Sequence, residues 1–192
     1  VSGYAGGVSP NPTYQNYILG GHREVVEVTF DESKVTLEEI AIYAIKHMDP
    51  TDSEGSFFDR GEAYAPALYF ENDLDKATLE NLIADIDKNG PYEKSLAVAI
   101  LPRPKFWLAE DYHQDYYKGT LSSLKYQYYR KGSGRDAFIA KHWGENTGPT
   151  LPWQTNKAEV KTTTANSSWQ NYVKPDQATL KQTMDELAYE VT

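Results

Sequence analysis

The stretch EVVEVTFDESKVTLEEIAIYAIKHM, residues 24–48, changes its hydrophobic period halfway along, and that change decides the fold class. Its first part alternates: Val26, Val28 and Phe30 share one face, which predicts a half-buried strand over 24–30. After Thr36 the period lengthens. Leu37, Ile40, Ala41, Ala44, Ile45 and Met48 form a helical stripe, and Thr36 with Glu39 is a capping-box pair. Pro50 stops the helix.

The same alternation continues outward from this stretch. PALYF (66–70) reads as a strand. A helix follows from about Asp73 to Ile86, with Leu79, Leu82, Ile83 and Ile86 inward, and Asn89-Gly90-Pro91 closes it. LAVAIL (96–101) is a continuous apolar run, which predicts a central strand buried on both faces. Upstream, Val1 to Tyr4 reads as the tail of another strand. Strands alternating with helices in this order predict an α+β fold, a two-layer sandwich. AEDYHQDYY (109–117) reads as a short helix with Tyr112 and Tyr116 on one face. KYQYYRKGSGRDAFIAKHWG (125–144) has a strand-like start, a Gly-Ser-Gly turn and a helical end. Residues 145–172 have linker composition, rich in Thr, Asn, Ser, Gly and Pro. Residues 173–192 regain helical spacing through Leu180, Met184 and Leu187.

Composition narrows the function. The 192 residues carry 19 basic against 28 acidic side chains, a net charge of −9. That disfavours nucleic acid and anionic membrane surfaces, both of which need Lys and Arg against phosphate. No apolar run approaches the roughly 20 residues that span a bilayer. There is no cysteine, so a thiolate nucleophile, a disulfide or a thiolate metal site has no residue here to supply it. The chain begins at Val1 rather than Met, which suggests residues upstream. The sequence assigns no compartment.

Four places could carry chemistry. Glu24 stands at the mouth of a strand, two residues after His22. Desolvated there, its carboxyl could donate a proton near neutral pH; taken alone it reads more readily as a solvated strand-edge carboxylate. Asp59 and Tyr64 lie in GSFFDRGEAYAP (55–66), a loop with more aromatic and charged residues than a connector needs. They could line a cleft, or simply cap a turn and start a strand. Tyr4 and Tyr14 flank AGGVSPNPT, whose glycines and prolines could present a hydroxyl, though tyrosines in rigid loops are also plain packing. His22, His47, His113 and His142 lack the spacing of a zinc site. Phosphate-loop, dinucleotide-binding and serine-elbow motifs are missing.

In order, SGYAGG, NPTY, GHREVVEV, DPT, DRGEAY and AEDYHQDYY resemble the motif set of A-type peptide methionine sulfoxide reductases. The resemblance covers residues 1–144 and implies a ferredoxin-like sandwich, incomplete at its N-terminus, with an irregular C-terminal extension. The terminal YVKPDQATLKQTMDELAYEVT (172–192) is similar to the lead-in of the B-type reductase. That implies a fused parent, with 145–172 as linker and 173–192 opening a second domain.

The resemblance also implies chemistry. A cysteine thiolate attacks the sulfoxide sulfur of methionine S-sulfoxide, free or in oxidised proteins, while an acid protonates the oxygen. Glu24 matches the acid, Tyr14 and Tyr64 the tyrosines that bond the oxygen, and Asp59 the carboxylate of the same pocket. Tyr4, Phe57, Phe58 and His113 are expected around the substrate. No cofactor or metal is implied; thioredoxin or another external thiol is the expected reductant, and a monomer is expected. The family's Gly-Cys-Phe-Trp nucleophile motif falls upstream of SGYAGG, so these residues alone are expected to be inactive. Ala65 replaces an arginine common in the family, and the stretch from Leu121 to Gly134 lacks a resolving cysteine. The alternative is a non-catalytic module whose aromatic cleft docks a peptide or sugar. An enzyme needs Tyr14, Glu24, Asp59 and Tyr64 in one small cleft, whereas a peptide groove spreads its aromatics along a surface.

Overall fold

The computed structural model describes residues 1–118 and 120–154. β1 (Ser2–Ala5) is the middle strand of an antiparallel three-stranded sheet, between β2 (Arg23–Val26) and β7 (Phe106–Leu108). Gly3 is required there. A Cβ would come within 2.3 Å of the Phe106 ring and 2.4 Å of the Trp107 carbonyl oxygen. The strand expected over 24–30 is therefore shorter, and its apolar alternation points the other way: Val26 and Val28 are exposed. β2 lies at the edge of its sheet, paired with β1.

α1 (Leu37–Lys46) starts at the capping box read from the sequence. The Thr36 side chain accepts from the Glu39 amide, and the Glu39 carboxylate accepts from the Thr36 amide. Its buried stripe is rotated from the expected one and consists of Ala41, Ile42, Ile45 and Lys46. β3 (Gly55–Ser56) and β4 (Asp59–Arg60) close a tight hairpin over Phe57 and Phe58, with Phe57 at φ +55°. A bulky residue pays strain in that left-handed conformation. The Phe138 ring, edge-on at 5.7 Å, and the Arg135 guanidinium, 5.0 Å from the ring centre, hold it there.

β5 (Ala67–Phe70) and β6 (Ala99–Pro102) pair in parallel, joined through α2 (Asp73–Asn89). The run 96–101 is thus a strand only from Ala99, half-buried and paired with β5. The aliphatic core lies between these elements: Ala41, Ile42, Ile45, Leu79, Leu82 and Ile86 pack with Trp143 and Leu151, edged by Leu68, Phe70 and Ile100.

AEDYHQDYY is not one helix. Two single 3₁₀ turns, Asp111–His113 and Tyr116–Lys118, are separated at Asp115, whose φ of +51° no helix accommodates. The strand-like start of 125–144 is helical instead: α3 (Thr120–Gly132) leads through the Gly-Ser-Gly turn into α4 (Arg135–Trp143). Aromatic and β-forming residues there are overruled by packing, because Tyr129 reaches Asp59 and Phe58 on the hairpin.

The stretch of linker composition begins with ordered, packed residues. Leu151 is fully buried, Trp153 stacks on Trp143 at 6.1 Å, and the Lys46 ammonium donates to the carbonyls of Asn146 and Thr150. The rest of that stretch and residues 173–192 fall outside the described residues. Mixed helices and sheets make the architecture α+β.

Candidate functional site

The site grows from the turn after NPTY. The Asn16 carboxamide oxygen accepts from the Thr13 amide at 2.7 Å, and the Tyr17 amide donates to the Thr13 carbonyl at 2.8 Å. One helical turn therefore carries Tyr14 and Tyr17 on the same side, three residues apart. His22 closes the loop behind them. Its Nδ1 accepts from the Gly7 amide at 3.2 Å, so Nε2 carries the proton and donates to the Ser9 carbonyl at 2.9 Å. Gly7 permits this approach, since a Cβ would lie 2.4 Å from the imidazole.

Tyr17 is the hub. Its ring is 1% exposed, stacked on Tyr4 at 4.7 Å and beside Tyr14 at 6.2 Å. Its hydroxyl lies 2.5 Å from that of Tyr64 and donates to Glu24 at 3.3 Å. Tyr64 arrives on the 3₁₀ turn Glu62–Tyr64, which Arg23 ties to β2 by donating to the Ala65 carbonyl at 2.9 Å. That bond anchors the loop at the position where the sequence lacks the familiar arginine.

Glu24 projects from β2 with one face open to solvent and the other against this cluster. Partial desolvation raises its carboxyl above the ordinary range. His113 and the Tyr17 hydrogen bond oppose the shift, and Asp59 adds to it. Burial likewise raises Tyr17 and Tyr64, so both remain proton-bearing donors.

The other expected residues divide. Tyr14 is half exposed and tilts against His113 at 4.8 Å; the buried Nε2 of His113 has no hydrogen-bond partner among the described residues. Asp59 accepts from Tyr129 and acts on Glu24 and Tyr64 through space. Tyr4 does not line the surface. It is 1% exposed and forms the floor beneath Tyr17, its hydroxyl donating to Glu110 at 2.9 Å. Phe57 and Phe58 turn away to pack on Phe138 and Tyr129, so they brace the hairpin on the helices.

Three participants were not singled out from sequence. Tyr17 was signalled only by its i, i+3 relation to Tyr14. Glu110 fixes the loop by accepting from the Tyr14 amide at 2.8 Å as well as from Tyr4. Tyr129 lay in the segment read as a strand. Among the described residues, no group of three or more His, Asp or Glu could hold a metal ion, and no helix is long and apolar enough to cross a membrane. The cluster thus gathers the buried Tyr17 hydroxyl, the Tyr64 hydroxyl and a carboxyl with a raised proton affinity beside a solvent-facing patch, the dish. That set can donate protons to an acceptor oxygen.

A family profile described as peptide methionine sulfoxide reductase matches residues 1–147. The chain is 39% identical over 196 residues to the peptide methionine sulfoxide reductase MsrA/MsrB of Vibrio cholerae. That alignment takes in all of this chain and 50% of the Vibrio protein, so the chain spans about half that relative's length. It is 42% identical over 146 residues to the peptide methionine sulfoxide reductase MsrA 2 of Staphylococcus aureus, covering 75% of this chain and 81% of that one. Among solved structures, the reduced form of Mxr1 from Saccharomyces cerevisiae superposes with a TM-score of 0.56 at 28% identity. It covers 62% of this chain and 70% of its own. Methionine sulfoxide reductase A of Corynebacterium diphtheriae superposes with a TM-score of 0.50 at 29% identity, over 60% of each chain.

Proposed function

The chain belongs to the peptide methionine sulfoxide reductase family, and from that premise we propose that its dish protonates the oxygen of methionine S-sulfoxide during reduction. The observation that carries this is the meeting of Tyr64 and Glu24 at the Tyr17 hydroxyl, with Tyr14 alongside. A sulfoxide oxygen is a strong acceptor whose basicity grows as its sulfur is attacked. Donors already aimed at it stabilise the transition state more than the ground state. A carboxyl partly withdrawn from water keeps its proton nearer neutrality, as an acid must.

Glu24 is the acid, Tyr14 and Tyr64 bind the oxygen, and Asp59, held by Tyr129, sets the local charge. His113 beside Tyr14 borders the substrate. In the reaction a thiolate bonds to the sulfoxide sulfur as the oxygen is protonated. The hydroxyl, or a water in its place, then bonds to the thiol sulfur while the methionine sulfur loses its bonds to both, so methionine leaves and a sulfenic acid remains. Two external thiols, with the thioredoxin dithiol as the physiological class, are oxidised to a disulfide as they return the sulfenic acid to thiol and release water. Since the 192 residues hold no cysteine, the nucleophile comes from a group outside them, and these residues alone do not turn over.

The substrate is methionine sulfoxide in oxidised proteins or free, and the working unit is a monomer. The frame is a ferredoxin-like sandwich, in which β5, α2 and β6 form a parallel βαβ unit. Residues 1–144, with the packed 145–154 stretch, form the A-type domain, leaving 155–172 as linker and 173–192 opening a B-type domain.

Glu24→Gln is the test, made in the polypeptide with its sulfur nucleophile in place and assayed with dithiothreitol and a chiral methyl sulfoxide. The rate should drop about 10²–10³-fold, the usual cost of removing one such donor. An unchanged rate removes Glu24 as the acid.

A further inference from the structure

We propose that Tyr17 is a positioning residue that carries the protonation state of Glu24 across to the hydroxyl of Tyr64. The proposal rests on the sulfoxide reading above and adds a residue to it. A tyrosine hydroxyl has one proton to give and two lone pairs to receive with. That of Tyr17 lies within hydrogen-bond reach of both groups, 2.5 Å from Tyr64 and 3.3 Å from Glu24.

Two proton arrangements fit this geometry. With Glu24 ionised, the carboxylate only accepts, so Tyr17 gives its proton to Glu24. Tyr64 must then give its own proton to Tyr17, and its hydroxyl has nothing left to offer the dish. With Glu24 protonated, the direction reverses: the carboxyl donates to Tyr17, Tyr17 donates to Tyr64, and the Tyr64 proton is free for an acceptor such as an S=O oxygen. The donor is therefore released only when the acid is loaded.

The surroundings favour a change of hydrogens without a change of heavy atoms. The Tyr17 ring is clamped between Tyr4 and Tyr14 and excluded from solvent. Hydrogen bonds in such a shielded chain polarise one another. The other groups that face Glu24 are Tyr4 on β1, Asp59 on β4 and His113 on the first 3₁₀ turn. They act on it through space. Tyr64 also faces Asp59 and Tyr14, and its hydroxyl bond runs to Tyr17.

The relay can be read without turnover. The 192-residue chain carrying ¹³Cζ-tyrosine and ¹³Cδ-glutamate is titrated by NMR. In the native chain Tyr64 should show an inflection coincident with that of Glu24. In Tyr17→Phe, which keeps the stacked ring, Glu24 should still titrate, at higher pH because a bond to its charged form is gone, while Tyr64 stays flat. Glu24→Gln should flatten Tyr64 as well, and serves if the phenylalanine variant does not fold. With dimethyl sulfoxide as probe, native binding should tighten as Glu24 gains its proton. That gain should shrink roughly three- to tenfold in Tyr17→Phe, the worth of one mediating hydrogen bond.

A native Tyr64 signal that ignores Glu24, or one that follows it equally in Tyr17→Phe, overturns the relay. These outcomes are separable from failure of the sulfoxide reading. If the relay is missing but Glu24→Gln still abolishes sulfoxide reduction, only the relay falls. If Tyr64 follows Glu24 but dimethyl sulfoxide perturbs neither, the relay stands and the substrate assignment falls.

Discussion

Two regions each place one titratable group against apolar neighbours, and they treat it in opposite ways. In the helical layer the Lys46 ammonium is fully enclosed. It gives all three of its protons, to the Asn146 carbonyl at 2.9 Å, the Asn146 side chain at 3.0 Å and the Thr150 carbonyl at 2.6 Å. The Trp143 ring lies 4.5 Å away as a fourth neighbour. At the dish Glu24 keeps an open face and receives one long hydrogen bond from Tyr17. A structural charge is saturated, whereas a group meant to act on something else keeps unused capacity. Lys46 therefore ties residues 146–150 to α1, and Glu24 ties down little.

Stability should expose that contrast most strongly. Lys46→Met keeps the aliphatic stem but leaves two part-buried carbonyls and a side-chain amide without their donor. It should cost about 3 kcal/mol in urea unfolding at neutral pH, because one partner of a buried set is removed and the others remain. Glu24→Gln under the same conditions should change stability by no more than about 0.5 kcal/mol. A mild Lys46→Met, or a costly Glu24→Gln, breaks the comparison.

The pH dependence should differ in sign. Burial lowers the Lys46 ammonium from 10.5 to about 8. Between those values the unfolded chain holds the proton and the folded chain does not, so stability rises with pH through that window, by up to about 3 kcal/mol. The carbonyl acceptors and the indole ring favour the charged form and make the rise smaller. Glu24 is raised by burial. From the ordinary carboxyl range up to its folded value, the folded chain holds the extra proton, so stability falls as pH increases. Unfolding free energy followed from acid to alkaline pH should show both slopes. Glu24→Gln should remove only the acid-side fall, and Lys46→Met only the alkaline rise.

The unequal legibility of these regions in the sequence has a physical cause. α1 could be read because its signals are local: Thr36 and Glu39 lie within one turn, and the stripe repeats within the helix. Lys46 in that stripe could not, because its acceptors lie 100 and 104 residues away. The alternation in 24–30 reveals a strand but not which face is covered, since that depends on what packs against the sheet from distant parts of the chain. Asp115 defeats the helix in AEDYHQDYY through a single backbone angle. At the site, Tyr14, Glu24, Asp59 and Tyr64 were legible because short motifs fix their order. Tyr17 sits in QNYILGG, which spells a loop, and its meaning appears only when Tyr64 arrives from 47 residues away.

The smallest effect sharpens the comparison within the aromatic cluster itself. Tyr4 is as buried as Tyr17, but its hydroxyl points away from the dish and donates to Glu110. Burial would raise the Glu110 carboxyl. The Tyr14 amide, its own amide, the Tyr4 hydroxyl and nearby His113 outweigh that and hold it below the ordinary range. Tyr4→Phe keeps the ring stack and removes one of these donors, so it should cost about 1 kcal/mol and let Glu110 titrate higher by NMR. The Tyr14 amide still holds the other carboxylate oxygen, so the loop stays in place and the coupled inflections of Glu24 and Tyr64 should be unmoved. If Tyr4→Phe instead uncouples them, the floor and the dish are one network, and the division drawn between closed and open polar groups runs through the wrong tyrosine.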